Sequence, residues 1–158
     1  MDREKAITMA NELLTPLAKE IKTPDPVRLD IILEAQALPA AVKALLNARW
    51  GYLSAITGLD WPATTENEEG HIEVLYHFCE GAIIATLRVM VPYSHAVVPT
   101  VCDQIPSCTL YERELIEMFG VVVENTPNTD RLLLPDDWPT GVYPLRKEFT
   151  GLNRSKTD

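Results

Sequence analysis

From residue 71 to residue 92 the chain alternates. Ile72, Val74, Tyr76 and Phe78 interleave with His71, Glu73, Leu75 and His77, the two-residue period of a strand with one buried face. Glu80-Gly81 turns the chain and residues 82–91 return, ended by Pro92, which predicts a hairpin. Ile72, Val74, Tyr76 and Phe78 fall on its core face; His71, Glu73 and His77 fall on its open face. Val27, Leu29 and Ile31 alternate with Arg28 and Asp30 and predict an earlier strand, and residues 52–61 form a β-rich run containing Gly58. Helical spacing links Ile7, Ala10, Leu14, Leu17 and Ile21. Thr15-Pro16 either ends one helix and caps the next or kinks a single one, and Pro24 and Pro26 stop the pattern. Val42, Leu45 and Leu46, after Pro39, predict a second short helix. Residues 62–70 read as an exposed loop, and residues 97–105, closed by Pro106, as a short helix or an irregular link.

The pattern is clearest over residues 109–120. Tyr111, Leu115 and Met118 share a stripe with Phe119 at its edge, the buried face of an amphipathic helix. Thr109 stands three residues before Glu112, the spacing of a capping box, and Gly120 follows the last apolar residue, where a left-handed C-terminal position favours glycine. Glu112, Arg113 and Glu117 are expected on the surface, with Arg113 one turn from Glu117. After this helix periodicity is lost. Prolines at 127, 135, 139 and 144 exclude long helix and central strand. The same stretch carries Leu132, Leu133, Leu134, Trp138, Tyr143, Leu145 and Phe149, so it must lie along its own domain or along a partner. The element order predicts an α+β fold: a small mixed or antiparallel sheet with helices on one face. It divides into a domain over residues 1–123 and an extended, proline-rich, partner-binding segment over residues 124–158.

Composition narrows the function. A chain of 158 residues, 46% hydrophobic and 23% charged, fits one folded soluble domain. Its net charge of −9 argues against nucleic acid or an anionic lipid surface as a direct partner. Cys79, Cys102 and Cys108 form no Cys-x-x-Cys pair and read as reduced, small buried side chains in a cytoplasmic compartment. No apolar run approaches the roughly 20 residues of a membrane span, so any membrane association is expected through other subunits. His71 and His77 lie six residues apart on one strand, roughly 20 Å and too far for one ion; His95 stands alone. No Gly-x-Gly-x-x-Gly or P-loop pattern is present. Ser54, Ser94 and Ser107 lack a nucleophile-elbow context. Asp136 and Asp137 beside Trp138 suit either an acid site or a carboxylate-ordered loop, and Arg146 suits bidentate carboxylate recognition.

Glu112-Arg113-Glu114, Glu117-Met118-Phe119-Gly120, Leu134-Pro-Asp-Asp-Trp-Pro139 and Tyr143-Pro-Leu-Arg-Lys147 resemble the 30 kDa (C-type) subunit of respiratory NADH:quinone oxidoreductase, complex I, and of related membrane-bound energy-converting hydrogenases. The resemblance is dense over residues 111–149 and general before that. Where the complex I branch carries His-Pro-Asp followed by basic residues, this chain reads Thr126-Pro127-Asn128, with Asp130 before Arg131. The wording of the last third is nearer the hydrogenase branch, and the branch stays open.

The resemblance implies a non-catalytic subunit of an oxidoreductase complex, inactive alone, that binds no metal or cofactor and scaffolds the neighbouring large redox subunit. Iron–sulfur clusters, and either flavin and quinone or a nickel-iron centre, are then expected in neighbouring subunits. It implies a place on the cytoplasmic side of the membrane. It marks Glu112, Arg113, Glu114, Glu117, Phe119, Gly120, Arg131, Asp136, Asp137, Trp138, Tyr143, Pro144, Leu145, Arg146 and Lys147 as family-motif and interface positions. The residues alone leave a second reading, a free-standing small enzyme using Asp136, Asp137 and a histidine as acid and base.

Overall fold

In the computed structural model of the chain, which describes residues 2–66 and 68–152, a five-stranded mixed sheet carries helices on one face. Its strands are β1 (Glu20–Asp25), β2 (Arg28–Leu33), β3 (Tyr52–Trp61), β4 (His71–Glu80) and β5 (Ile83–Pro92), in the spatial order β1-β2-β5-β4-β3. The β2–β5 pair is parallel and the others are antiparallel. The helices are α1 (Arg3–Leu14), α2 (Leu38–Asn47) and α3 (Thr109–Phe119), and the short strands β6 (Val97–Pro99) and β7 (Val122–Glu124) pair in parallel apart from the main sheet.

The hairpin forms at the expected place, with Gly81 and Ala82 as its turn. Ile72, Val74, Tyr76 and Phe78 are at most 1% exposed; burial of each of Ile72, Val74 and Phe78 contributes on the order of 1.5–3 kcal/mol, while the Tyr76 hydroxyl is buried without a hydrogen-bond partner among the described residues. Register sets Tyr76 beside Leu87 and Ile56, and Val74 beside Val89 and Gly58. One apolar face therefore runs across the sheet to meet all three helices. At the β3 end it has no room for a side chain: a Cβ on Gly58 would stand 2.7 Å from the Phe119 ring of α3.

The helical spacing at the N-terminus stops at Leu14, where Thr15 Oγ1 donates back to the Asn11 carbonyl. Ile21 is not helical; it lies on β1 opposite Ile31, because pairing with β2 outweighs local spacing. The segment after β5 is neither a helix nor wholly irregular, since residues 97–99 find a ladder partner in β7. The open face of β4 is also less open than alternation implies. Glu73 is 4% exposed and Asp30 5%. Arg88 joins them, with Nε 2.7 Å from Glu73 and NH1 2.6 Å from Asp30, and Trp61 Nε1 donates to Glu73 at 3.0 Å. Carboxylates pressed among neighbours are tolerated when paired in this way. His77 meets Thr86 Oγ1 at 3.0 Å, and burial, then the nearby Arg28, holds its pKa below the ordinary value.

Candidate functional site

α3 organises the last third of the described chain. Its start departs from the expected capping box. Thr109 is the first helical residue, and Cys108 at the cap position makes no side-chain capping bond. Glu112 is not on the surface but 1% exposed. Its carboxylate accepts from Thr100 Oγ1 at 2.8 and 2.9 Å, from the Val101 N–H at 2.9 Å and from Cys102 Sγ at 3.1 Å. A backbone N–H plus a hydroxyl satisfies the carboxylate better than the weak reciprocal cap would. Burial pushes the Cys102 thiol up to about 11 and the Cys108 thiol up to about 12, with Glu112 adding to both. Burial, then Glu112, also raises the Tyr76 hydroxyl.

The expected pairing of Arg113 with Glu117 is absent, and Glu117 is 8% exposed. Both side chains turn to the segment that follows. Arg113 donates to the carbonyls of Asp130 at 2.7 Å and Arg131 at 2.5 Å. Glu117 accepts the N–H groups of Leu132 at 2.6 Å and Leu133 at 2.9 Å. The cation takes two acceptors and the anion two donors from four consecutive residues.

The end of α3 closes on the same segment. Gly120 has φ +69°, and a Cβ there would stand 2.3 Å from the Tyr143 ring, so both backbone and packing demand glycine. Leu145 N–H donates to Met118 and Arg146 Nε to Phe119, at 3.2 and 2.8 Å. These bonds satisfy carbonyls that a helix end leaves free. The Arg146 guanidinium lies 4.7 Å from the Tyr93 ring centre and 5.2 Å from that of Tyr143. Asp60 receives the Lys147 N–H at 2.8 Å and the Tyr93 hydroxyl. Burial and that bond push the Tyr93 hydroxyl up to about 12.

Further along, Arg131 donates to the carbonyls of Pro135 and Trp138, and Trp138 Nε1 to that of Val142. The backbone of the segment is therefore held by its own domain, while many of its side chains stay in solvent. Leu133 is 59% exposed and Leu145 52%. Asp136, Asp137 and Lys147 are exposed; Glu114, Trp138, Tyr143 and Pro144 are half-buried. Most of the marked residues gather around α3; Lys147 lies against Asp60 and Trp61 of β3, Trp138 packs on Phe149, and Asp136 and Asp137 sit outward in the turn before Trp138. Sequence reasoning missed Thr100, Tyr93 and Asp60. Asp60 left a trace, a carboxylate at a core-facing position of β3.

Among the described residues no group of three or more His, Cys, Asp and Glu side chains suits a metal ion, and no helix is long and apolar enough to cross a membrane.

Comparison with known proteins covers this whole region. Formate hydrogenlyase subunit 5 of Escherichia coli is 33% identical over 124 residues, which make up 77% of this chain and 21% of that protein. This chain therefore spans only about a fifth of that relative's length. A C-type NADH-quinone oxidoreductase subunit of Moorella thermoacetica is 31% identical over 122 residues, 75% of this chain and 78% of that one. A solved chain of the membrane-bound sulfane sulfur reductase, an archaeal respiratory membrane complex, superposes with a TM-score of 0.75 at 29% identity, covering 92% of this chain and 84% of that chain. The family model for the 30 kDa subunit of respiratory-chain NADH dehydrogenase matches residues 31–155. With α3 and its clasped segment inside that match, the chain belongs to the respiratory-chain NADH dehydrogenase 30 kDa subunit family.

Proposed function

We propose that this chain is a cofactor-free peripheral-arm subunit of a membrane-bound complex, either an NADH:quinone oxidoreductase of complex I type or its energy-converting nickel-iron hydrogenase relative. Residues 1–123 form the domain, and residues 124–158 bind the neighbouring large redox subunit, a D-type or hydrogenase large-subunit-like protein. The observation that carries this reading is the division of labour in the last third. Its backbone polar groups are spent on α3, while Leu133 and Leu145 face solvent. A segment ordered in advance loses less entropy on docking than a free tail. Permanent subunit interfaces often bury about 2,000 Å² or more, and an apolar ledge along a domain suits that scale.

The contribution to catalysis is indirect. The subunit stiffens the surroundings of a redox site in its neighbour, whose iron–sulfur clusters and flavin, quinone or nickel-iron centre carry the electrons coupled to ion translocation. Contact with the membrane, on its cytoplasmic side, comes only through partner subunits. Support comes from the names of the relatives and from a sequence without nucleotide-binding or cluster-binding motifs. The test is cross-linking of the purified native assembly. Links from residues 130–150 to a larger redox subunit are expected; an assembly containing this chain but lacking such links contradicts the reading.

A further inference from the structure

The two edges of the sheet are built differently. On β1, Glu20 and Lys22 form an ion pair at 3.1 Å, Pro24 removes a donor, and the register shifts between Lys22 and Asp25. Charge, proline and irregular register each protect an edge from pairing with another strand. β3 has a register shift only between Leu53 and Ala55, and no proline or irregular register over residues 56–61. It runs ten residues, and its one formal charge, Asp60, is occupied by Tyr93 and the Lys147 N–H. The Ser54 carbonyl accepts the Tyr111 hydroxyl at 3.1 Å. Among the described residues no other β3 backbone group bonds beyond β4.

A groove of about 460 Å³ follows this edge, lined by Leu59, Trp61, Phe119 and Leu145, with Lys147 at its end. A separate, smaller hollow of about 20 Å³ shares Gly58, Phe119 and Leu145 with it and adds Thr57, Tyr111 and Glu114. The lining is mostly apolar; the Asp60 carboxylate within it is taken up by the Tyr93 hydroxyl and the Lys147 N–H, which leaves the Glu114 carboxylate at one end and the Lys147 ammonium at the other. Among the described residues neither Glu114 nor Lys147 is ion-paired; the Lys147 ammonium rests 5.2 Å from the Trp61 ring centre.

We propose that the free edge of β3 takes up an extended segment of the partner redox subunit as a sixth strand, with a basic residue over Glu114 and an acidic residue over Lys147. Thr57 and Trp61 are four residues apart, about 13 Å along a strand, so the two charges of the incoming segment stand about four residues apart. Uncharged side chains between them fit the mostly apolar groove, and the unpaired ladder supplies the backbone bonds. A second copy of this chain is a poor occupant, because its β3 offers no free charge to answer either end and each copy carries −9.

The inference rests on the reading that the chain is a subunit of a larger assembly. Amide hydrogen exchange of residues 55–61 tests it, measured on the full chain alone and in the purified native assembly. A new strand protects the alternate amides that β4 leaves free, slowing them about tenfold or more, and Glu114→Lys with Lys147→Glu reduces that slowing. If those amides exchange equally in both samples while the chain sits in the assembly, the strand proposal is overturned and the subunit reading stands. If no assembly contains the chain, the subunit reading fails and the strand proposal with it.

Discussion

Arg113 and Glu117, one turn apart on α3, do not pair with each other. Each grips backbone of the same stretch, Arg113 the carbonyls of Asp130 and Arg131, Glu117 the N–H groups of Leu132 and Leu133. An exposed ion pair at this spacing contributes about 0.3–0.5 kcal/mol. Hydrogen bonds to a charged group contribute about 1.5–3 kcal/mol each, which decides the competition. Glu117→Ala is expected to release the Leu132 and Leu133 amides, loosening the clasp by about 2 kcal/mol, read as faster exchange at those two positions with the sheet unchanged. Arg113→Ala is expected to reduce assembly into the complex without altering turnover per assembled complex. Full assembly with lost turnover contradicts the scaffolding role.

Gly120→Ala tests the other end of α3. A left-handed alanine costs about 1–2 kcal/mol, and its methyl group meets the Tyr143 ring. Chemical denaturation of Gly120→Ala is expected to show a loss larger than the backbone cost alone. In the background of Tyr143→Ala the same substitution is expected to cost only that backbone share. Equal losses in both backgrounds mean that the ring contact contributes nothing.

Glu112 is expected to be the most sensitive carboxylate on α3. Glu112→Ala leaves the Val101 N–H and Thr100 hydroxyl without their acceptor, an expected loss of about 3 kcal/mol. Asp137→Ala, on an exposed turn, is expected to leave stability and turnover per assembled complex unchanged. Loss of a catalytic activity by that variant alone supports an acid–base enzyme instead.

Cys102 and Cys108 set a pH dependence. Their folded-state values, about 11 and about 12, lie above the ordinary 9.0. Below pH 9 both states keep the proton and stability is unaffected. Between pH 9 and about 12 the unfolded chain loses protons that the folded chain retains, so stability falls, by about 1.4 kcal/mol per pH unit for each retained proton. Denaturant midpoints are expected to drop above pH 9, less steeply in Cys108→Ala. A midpoint flat from pH 8 to 11 contradicts the burial account.

The legible parts of this fold were those encoded locally. The alternation of residues 72–78, the β-rich run over residues 52–61 and the glycine after α3 each follow from backbone preference and side-chain period. What stayed hidden depends on partners distant in sequence. Ile21 keeps helical spacing with Leu17 yet pairs with Ile31. Glu73 alternates like a solvated residue yet meets Arg88 diagonally across the ladder. Glu112 and Glu117 look like surface acids because their partners, Thr100 and the Leu132–Leu133 amides, come from irregular segments on either side of the helix. The resemblance to the 30 kDa subunit family marked the α3 region without revealing how its charges are used.

The central claim is that exposed apolar side chains on a clasped segment hold a neighbouring subunit. The most direct measurement is the composition of the complex purified from cells whose only copy of this chain carries Leu133→Asp and Leu145→Asp. Both leucines are more than half exposed, so the isolated variant is expected to melt within about 2 °C of the unaltered chain, as surface substitutions do. The large redox subunit is expected to be recovered with it at about one-tenth or less of its normal yield, a loss of about 1.4 kcal/mol or more. Full recovery of the complex with both aspartates in place would contradict the account.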